Sequence, residues 1–313
     1  MPFSVFSSLA EQLGIPYAEH VSLRTCCSMR VGGQARYMAY PTDAPSLTRL
    51  ILALRERACP YAVIGAMTNT LPPDGELMYP LICTRRMTDT ERIGDTVRAA
   101  CGASLSGLAI RYMREGRDAC AALATVPGTV GGAVRGNAGA YGRQTSEYVI
   151  SCEVLDVRRG AVVTYPASQM AFSYRHSRLK GTEDVLLSVL LRAPRRAADV
   201  MLEEHRQLRE RRLREQPREP SLGSVFLRLP DGRSVGEVLD RLGCKGVSFG
   251  DAVVSHRHAG FIINRRAATA SDVRSLIYYL QQRVKAAEGL VPVTEISVLP
   301  RRGSYVVFDG TEA

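Results

Sequence analysis

The densest concentration of chemically suggestive residues is Pro127 to Gly142, PGTVGGAVRGNAGAYG, with Gly128, Gly131, Gly132, Gly136, Gly139 and Gly142 in one short stretch. Glycine packed this closely marks a backbone that takes φ > 0 or lies against something bulky. Successive N–H groups freed in this way form a concave nest for an anion such as a diphosphate. The competing reading is a glycine-rich surface loop. The stretch follows an apolar run at 119–126 and precedes a strand pattern at 148–157. Asn137 and Tyr141 add an amide and a ring that could face a ligand.

Three further places could carry chemistry. Tyr174-Arg175 offers a guanidinium fork suited to a carboxylate or phosphate, set against an ordinary surface arginine. Ser224, in LGSVF, follows a glycine at the start of a strand pattern, where its hydroxyl either projects into a cleft or serves a turn. The segment is not GxSxG, so no hydrolase nucleophile elbow is expected. Glu295 sits in VPVTEISVL, a pattern otherwise built for burial. A buried carboxylate is costly unless paired or protonated. Glu295 is therefore either an edge charge facing water or a carboxyl with a raised pKa, a common tool of proton chemistry. His256 and His258 alternate as a metal pair would, but no carboxylate or cysteine nearby completes a site. Neither GxxxxGK[ST] nor GxGxxG occurs, which argues against P-loop and Rossmann folds.

These residues need elements to position them, and 313 residues suffice for two domains. A 45% hydrophobic and 23% charged composition is that of a soluble globular chain. The net charge of +10 suits nucleic acid or an anionic small molecule. Aromatics are scarce and do not interleave with the basic runs, which disfavours a single-strand binder. The eight cysteines lack CxxC spacing, so reduced buried thiols are expected rather than zinc or disulfides. The first residues, MPFSVFSSLAEQLG, do not read as a signal peptide, and no apolar run has the length of a membrane span. The expectation is a soluble, cytoplasmic protein with neither nucleic-acid binding nor membrane insertion.

In chain order, Phe6, Leu9 and Leu13 mark a short amphipathic helix, followed by an extended lead-in. A strand at 28–41, broken at Gly32-Gly33, precedes a helix at 45–58 that repeats Leu47, Leu50, Ile51 and Leu54 on one face. A buried strand at 61–64 enters a glycine-started turn. Strands at 97–100, 149–157, 161–165 and 185–191, with a helix at 105–115, form a second, strand-dominated lobe. A charged helix at 197–216, stopped by Pro217 and Pro220, reads as a solvated link between domains. Beyond it, strands are predicted at 224–229, 252–254, 260–264 and 294–299. Helices are predicted at 234–242 and 271–288, with Ser271 as N-cap of the second. The result is an α+β chain with one domain at 1–197, in lobes of about 1–82 and 83–197, and another at 198–313.

In matching order, RVGGQARYMAYP, the turn at 63–75, CGASLSGLA, the 127–142 stretch, SYRHSRLK, SLGSVF, VSHRHAGFIINRRAATASDV and LVPVTEISVL resemble the motifs of the UDP-N-acetylenolpyruvoylglucosamine reductase family. The resemblance spans roughly 25–299, and 243–264 is similar to the family's shorter class, which lacks an extra substrate-covering loop. It implies a two-lobed FAD-binding domain, of the PCMH/vanillyl-alcohol-oxidase-like type, and a C-terminal α+β domain that closes the substrate over the flavin. It implies non-covalent FAD held by Gly65, Thr68, Asn69, Pro127, Gly128, Thr129, Gly131, Gly132, Asn137, Gly139 and Tyr141. It further implies that NADPH supplies the hydride and that UDP-N-acetylglucosamine-enolpyruvate is reduced to UDP-N-acetylmuramate for peptidoglycan synthesis. Arg175 and Glu295 match the positions that polarise the substrate carboxylate, and Ser224 matches the proton donor. Tyr174 and His258 are the substrate contacts the resemblance implies, and the family's cationic contact is either shifted to Arg228 or lost; no metal is implied, and a monomer is expected.

The chain departs from the family pattern in places. The usual GxGSN turn is Gly65-Ala66-Met67-Thr68-Asn69, and methionine resists the φ > 0 of the second glycine. LPPDG follows where the family is more apolar, and Leu227 replaces a usual lysine, with Arg228 next to it. Two rival functions remain at this stage. One is an FAD-dependent sugar or lactone oxidase, many of which tether flavin through His or Cys, neither of which occurs at 63–75. The other is a catalytically silent nucleotide-sugar binding protein.

Overall fold

A computed structural model describes residues 2–301. The first lobe contains α1 (Pro2–Gln12), β1 (Tyr17–Ser22), α2 (Leu23–Cys26), β2 (Gln34–Ala39), α3 (Ala44–Glu56), β3 (Ala62–Ile64), β4 (Thr70–Leu71) and β5 (Leu81–Cys83). Its sheet has the order β1-β2-β5-β3, antiparallel at β1–β2 and parallel elsewhere. α3 starts where a helix should. Asp43 accepts from Ser46 N at 2.7 Å, Pro45 occupies the first turn, and Leu47, Leu50, Ile51 and Leu54 are buried. The extended lead-in is itself a strand, β1. The strand expected from 28 begins only at Gln34, because Gly33 is pressed against the Gly75 backbone where no Cβ fits.

The second lobe contains β6 (Thr90–Ile93), β7 (Thr96–Ala100), α4 (Leu105–Arg114), α5 (Val130–Gly136), β8 (Gly139–Ala140), β9 (Arg143–Gln144), β10 (Val149–Asp156), β11 (Ala161–Pro166) and β12 (Val185–Arg192). β11-β10-β12-β7-β6 form one antiparallel sheet. The long charged helix is α6 (Ala198–Glu215), ended before Pro217 as expected. It is followed by β13 (Ser221–Ser224), α7 (Val235–Arg241), β14 (Ser248–Phe249), β15 (Ala252–Val254), β16 (Phe261–Asn264), α8 (Ala270–Glu288) and β17 (Ser297–Val298). β13-β16-β15-β14 make the antiparallel sheet of this third unit, with α7 and α8 in its core.

Three expectations are corrected here. The strand expected at 224–229 ends at Ser224 instead of starting there. The strand expected at 294–299 shortens to β17, which leaves its own domain to pair in parallel with β4 of the first lobe. The N-cap of α8 is Thr269, not Ser271: Thr269 Oγ1 accepts from Asp272 N at 3.0 Å, and Asp272 returns the bond to Thr269 N at 2.9 Å.

One core joins the two lobes, α1 and α3 packing with β7, β10 and β12. The third unit's core takes Cys27, Met29, Val31 and Leu71 from the first lobe, and Leu299 returns into the first lobe beside Leu23, Met38 and Tyr79. Side chains thus cross the 197/198 boundary in both directions. All eight cysteines are free thiols. No described helix is long and apolar enough to cross a membrane, and no described cluster of His, Cys, Asp and Glu could hold a metal.

Candidate active site

The three units meet around a cleft of about 870 Å³. The first lobe contributes the turn from Gly65 to Thr70, the second contributes the 126–144 stretch with Tyr174, Arg175 and Lys180, and the third contributes Ser224, Arg228, His258 and Glu295. A smaller cavity of about 140 Å³ adjoins it between the lobes and shares Gly65, Thr129, Gly132 and Arg135.

The glycine stretch differs from an open nest. From Val130 it coils into α5, capped by Thr129, whose Oγ1 accepts from Gly132 N at 3.2 Å. The N–H groups of Val130 and Gly131 are spent on Ala103 O and Cys101 O, at 2.8 and 2.7 Å. Gly131 is glycine for packing, since a Cβ there would come within 2.9 Å of the Cys101 carbonyl. The Asn137 side chain is likewise spent within the loop. It is 1% exposed, its Nδ2 donates to Gln144 Oε1 and Ser173 O, and its Oδ1 accepts from Ser146 N, so the amide braces the loop.

The unspent donors lie elsewhere. Among the described residues, no backbone N–H from Gly65 to Asn69, nor those of Gly128 and Thr129, makes a hydrogen bond. The two turns also interlock: a Cβ on Gly65 would lie 2.5 Å from Thr129 Oγ1, and one on Gly128 2.8 Å from Thr68 Oγ1. Bare backbone from two lobes therefore faces one cleft, which suits a diphosphate. Met67 does adopt the left-handed conformation, at φ 47°, despite its side chain. That costs roughly 1–2 kcal/mol. Its side chain is buried with Leu23, Ala35, Met38 and Ile64, and burial of this kind returns roughly 1.5–3 kcal/mol.

Across the cleft, Arg175 Nε stands 2.7 Å from Glu295 Oε1. The contact is a close ion pair between two mostly buried side chains. Arg175 itself is left-handed, at φ 55°, in a tight turn bridging Ser173 and His176. Burial pushes the Glu295 carboxyl above the ordinary range, and the charges of Arg175 and Lys180 only partly oppose it. Glu295 is fixed through its backbone, donating to Val225 O at 2.7 Å and accepting from Asn69 Nδ2 at 3.0 Å. Burial and neighbouring Arg135 lower the Lys180 pKa, and burial brings Arg135 down to about 10.

Ser224 follows Gly223, at φ 84°, and its Oγ lies in the cleft wall with only a 3.4 Å contact to Phe226 O. Tyr174 is half exposed, with the Arg175 guanidinium 5.6 Å from its ring centre. Arg228 donates to Gly232 O at 2.8 Å on the exposed rim. His258 Nδ1 accepts from Gly260 N at 3.0 Å, and burial lowers its pKa, which leaves a neutral ring with Nε2 as donor. His256 instead packs against Gly246, so the two histidines do not form a pair on a strand.

Sequence reasoning missed Arg135, Lys180, Arg212 and Gln216 as cleft residues. Arg212 and Gln216 come from the end of α6, read as solvated, and burial lowers the Arg212 pKa. The usable signal was that Pro217 stops the helix immediately before SLGSVF. Gln216 Oε1 and Tyr141 Oη are buried without a partner among the described residues, as groups awaiting a ligand would be.

Fold and site together define a two-lobed FAD-binding oxidoreductase with a third domain over its cleft. A family model for an FAD binding domain matches residues 35–165, and the model for UDP-N-acetylenolpyruvoylglucosamine reductase, C-terminal domain, matches 216–299. The UDP-N-acetylenolpyruvoylglucosamine reductase of Lactobacillus delbrueckii subsp. bulgaricus is 34% identical over 287 residues, covering 91% of this chain and 96% of the relative. That of Heliobacterium modesticaldum is 36% identical over 288 residues, covering 90% of each. The crystal structure of UDP-N-acetylenolpyruvylglucosamine reductase from Thermus caldophilus matches with a TM-score of 0.78 at 28% identity, covering 91% of this chain and 100% of that one. The chain belongs to the UDP-N-acetylenolpyruvoylglucosamine reductase family.

Proposed function

We propose that the protein reduces UDP-N-acetylglucosamine-enolpyruvate to UDP-N-acetylmuramate, using NADPH and non-covalent FAD, as a monomeric cytoplasmic enzyme of peptidoglycan precursor synthesis. The observation that carries this reading is the Arg175–Glu295 pair, which brings a guanidinium from one domain and a buried carboxyl from another to one cleft with Ser224. The Gly65–Asn69 and Gly128–Thr129 backbones would hold the FAD diphosphate. Bound there, FAD supplies the hydride that adds to the β-carbon of the enol ether. No His or Cys at 63–75 offers a covalent tether.

The protein's own groups do the rest. Addition at the β-carbon leaves an electron pair on the α-carbon, delocalised into the adjacent carboxylate. Arg175 neutralises that carboxylate, and Glu295, its pKa raised by burial, can share a proton with it. Ser224 Oγ gives its proton to the α-carbon, forming the C–H bond, and regains one from water. Arg135, Lys180 and Arg212 outnumber Glu295 in the cleft, which favours a ligand bearing a diphosphate and a carboxylate.

Stopped-flow absorbance separates the two half-reactions. NADPH should bleach the flavin anaerobically, and the enolpyruvyl substrate should restore its colour. In Ser224→Ala, bleaching should proceed near the normal rate while recolouring slows by about 10²–10⁴-fold. Equal slowing of both steps would remove Ser224 from the mechanism. Wild-type flavin that NADPH cannot bleach, or that stays with acid-precipitated protein, would overturn the function proposed.

A further inference from the structure

Asp74 does not line the cleft. Its carboxylate, in the LPPDG turn of the first lobe, accepts from Ala270 N at 2.9 Å, Ser271 N at 2.8 Å and Ser271 Oγ at 2.8 Å, at the start of α8 in the third unit. α8 already carries its own capping box, so these bonds add a tie between units rather than a missing cap. Burial works against the carboxylate's charge, but the three donors outweigh it and the pKa lies below the ordinary value. The positive end of a 19-residue helix favours the same charge.

The segment leading to Asp74 also holds Glu295. Asn69 Nδ2 donates to Glu295 O at 3.0 Å, and Asn69 O accepts from Ser297 N at 2.9 Å. Thr70 and Leu71 then pair with Ser297 and Val298, and Leu299 N donates to Leu71 O at 2.8 Å. Beside this short ladder, Asn264 Nδ2 donates to Met29 O at 3.0 Å and Ser28 Oγ donates to Ser221 O at 2.7 Å, so the first lobe also grips the sheet of the third unit. Asp74 adds a tie to α8 itself, the helix whose Leu276, Ile277 and Leu280 share a core with Val225 and Phe226, the neighbours of Ser224.

We infer that Asp74 is a positioning residue for the reduction: by latching α8 to the lobe that carries the 65–69 turn, it sets how Glu295 and Ser224 approach Arg175. The reaction affected rests on the function proposed above; the latch itself does not.

The test uses Asp74→Ala and Asp74→Asn in the full, FAD-loaded chain, by hydrogen exchange and by half-reaction kinetics. The amides of Ser297 and Leu299 should exchange about tenfold faster or more, while those of β16 and the middle of α8 keep wild-type rates. Flavin reduction by NADPH should stay within about twofold, while KM for the enolpyruvyl substrate rises about tenfold, the Asn variant falling between wild type and Ala. Faster exchange confined to Ala270 and Ser271 would reduce Asp74 to a local cap and overturn the inference. So would faster exchange throughout the third unit, which signals lost stability alone, or an unchanged KM. If wild-type protein fails to turn over the substrate, the proposed function falls while the exchange result still decides the latch.

Discussion

At the scale of single residues, the site turns on a carboxyl kept where it is least comfortable. Glu295 is mostly buried, and the charges of Arg175 and Lys180 do not fully offset the loss of water. Its folded pKa therefore lies above that of the unfolded chain, and the folded protein holds the proton more tightly. Stability then falls as pH rises from the ordinary carboxylate range through the raised value, and the loss persists above it. Glu295→Gln removes the titration. The variant should melt at a higher temperature than wild type at pH 8, and the two should converge as pH falls toward about 4.3, the ordinary glutamate value. Turnover should drop by about 10²–10³-fold, as for loss of a group aimed at developing charge. Thermal melts across pH check this. A lower melting temperature at pH 8 would mean that the uncompensated Arg175 charge outweighs the relief.

At the scale of elements, the cofactor turn shows how a local rule is broken and offset. Met67 occupies a left-handed position where the family pattern has glycine, and its side chain is 3% exposed. Met67→Gly would relieve roughly 1–2 kcal/mol of backbone strain but leave a core cavity, a loss of roughly 2–5 kcal/mol. Packing wins on these magnitudes, so the substitution should lower the melting temperature although it restores the family residue. A rise would show that strain dominates the turn. The helices and buried strands were legible because their signals are local: the spacing of Leu47, Leu50, Ile51 and Leu54, or the run 185–191. The site was legible in part. Arg175, Ser224 and Glu295 stood out by type and by resemblance, and the structure brings all three to the cleft. How the glycine-rich stretch spends its donors was not legible, because such a stretch reads alike whether its N–H groups face a ligand or, as for Val130 and Gly131, close onto Cys101 and Ala103. Arg212 stayed hidden in a helix whose average polarity masks one half-buried arginine among exposed neighbours in its last turn. The sheet that β17 joins was not legible, since sequence periodicity carries no information about a partner strand more than two hundred residues away.

At the scale of the whole molecule, the units are laced together rather than strung along a linker. Cys27, Met29, Val31 and Leu71 leave the first lobe to complete the third unit's core, and Leu299 makes the return journey. Leu299 is fully buried, and just beyond it Pro300 O accepts from Tyr79 Oη at 2.5 Å. Shared cores couple the melting of each unit to that of its neighbour, so calorimetry on the FAD-loaded protein should show one transition. Leu299→Ala should then shift that single transition as a whole. A buried leucine truncated to alanine loses roughly 2–5 kcal/mol, worth about 4 °C or more in a chain of this size. If the third unit instead melted separately, with its transition alone displaced by Leu299→Ala, the exchange of side chains across the boundary would be contact without cooperativity. Asp74 would then have to hold a domain that the cores do not.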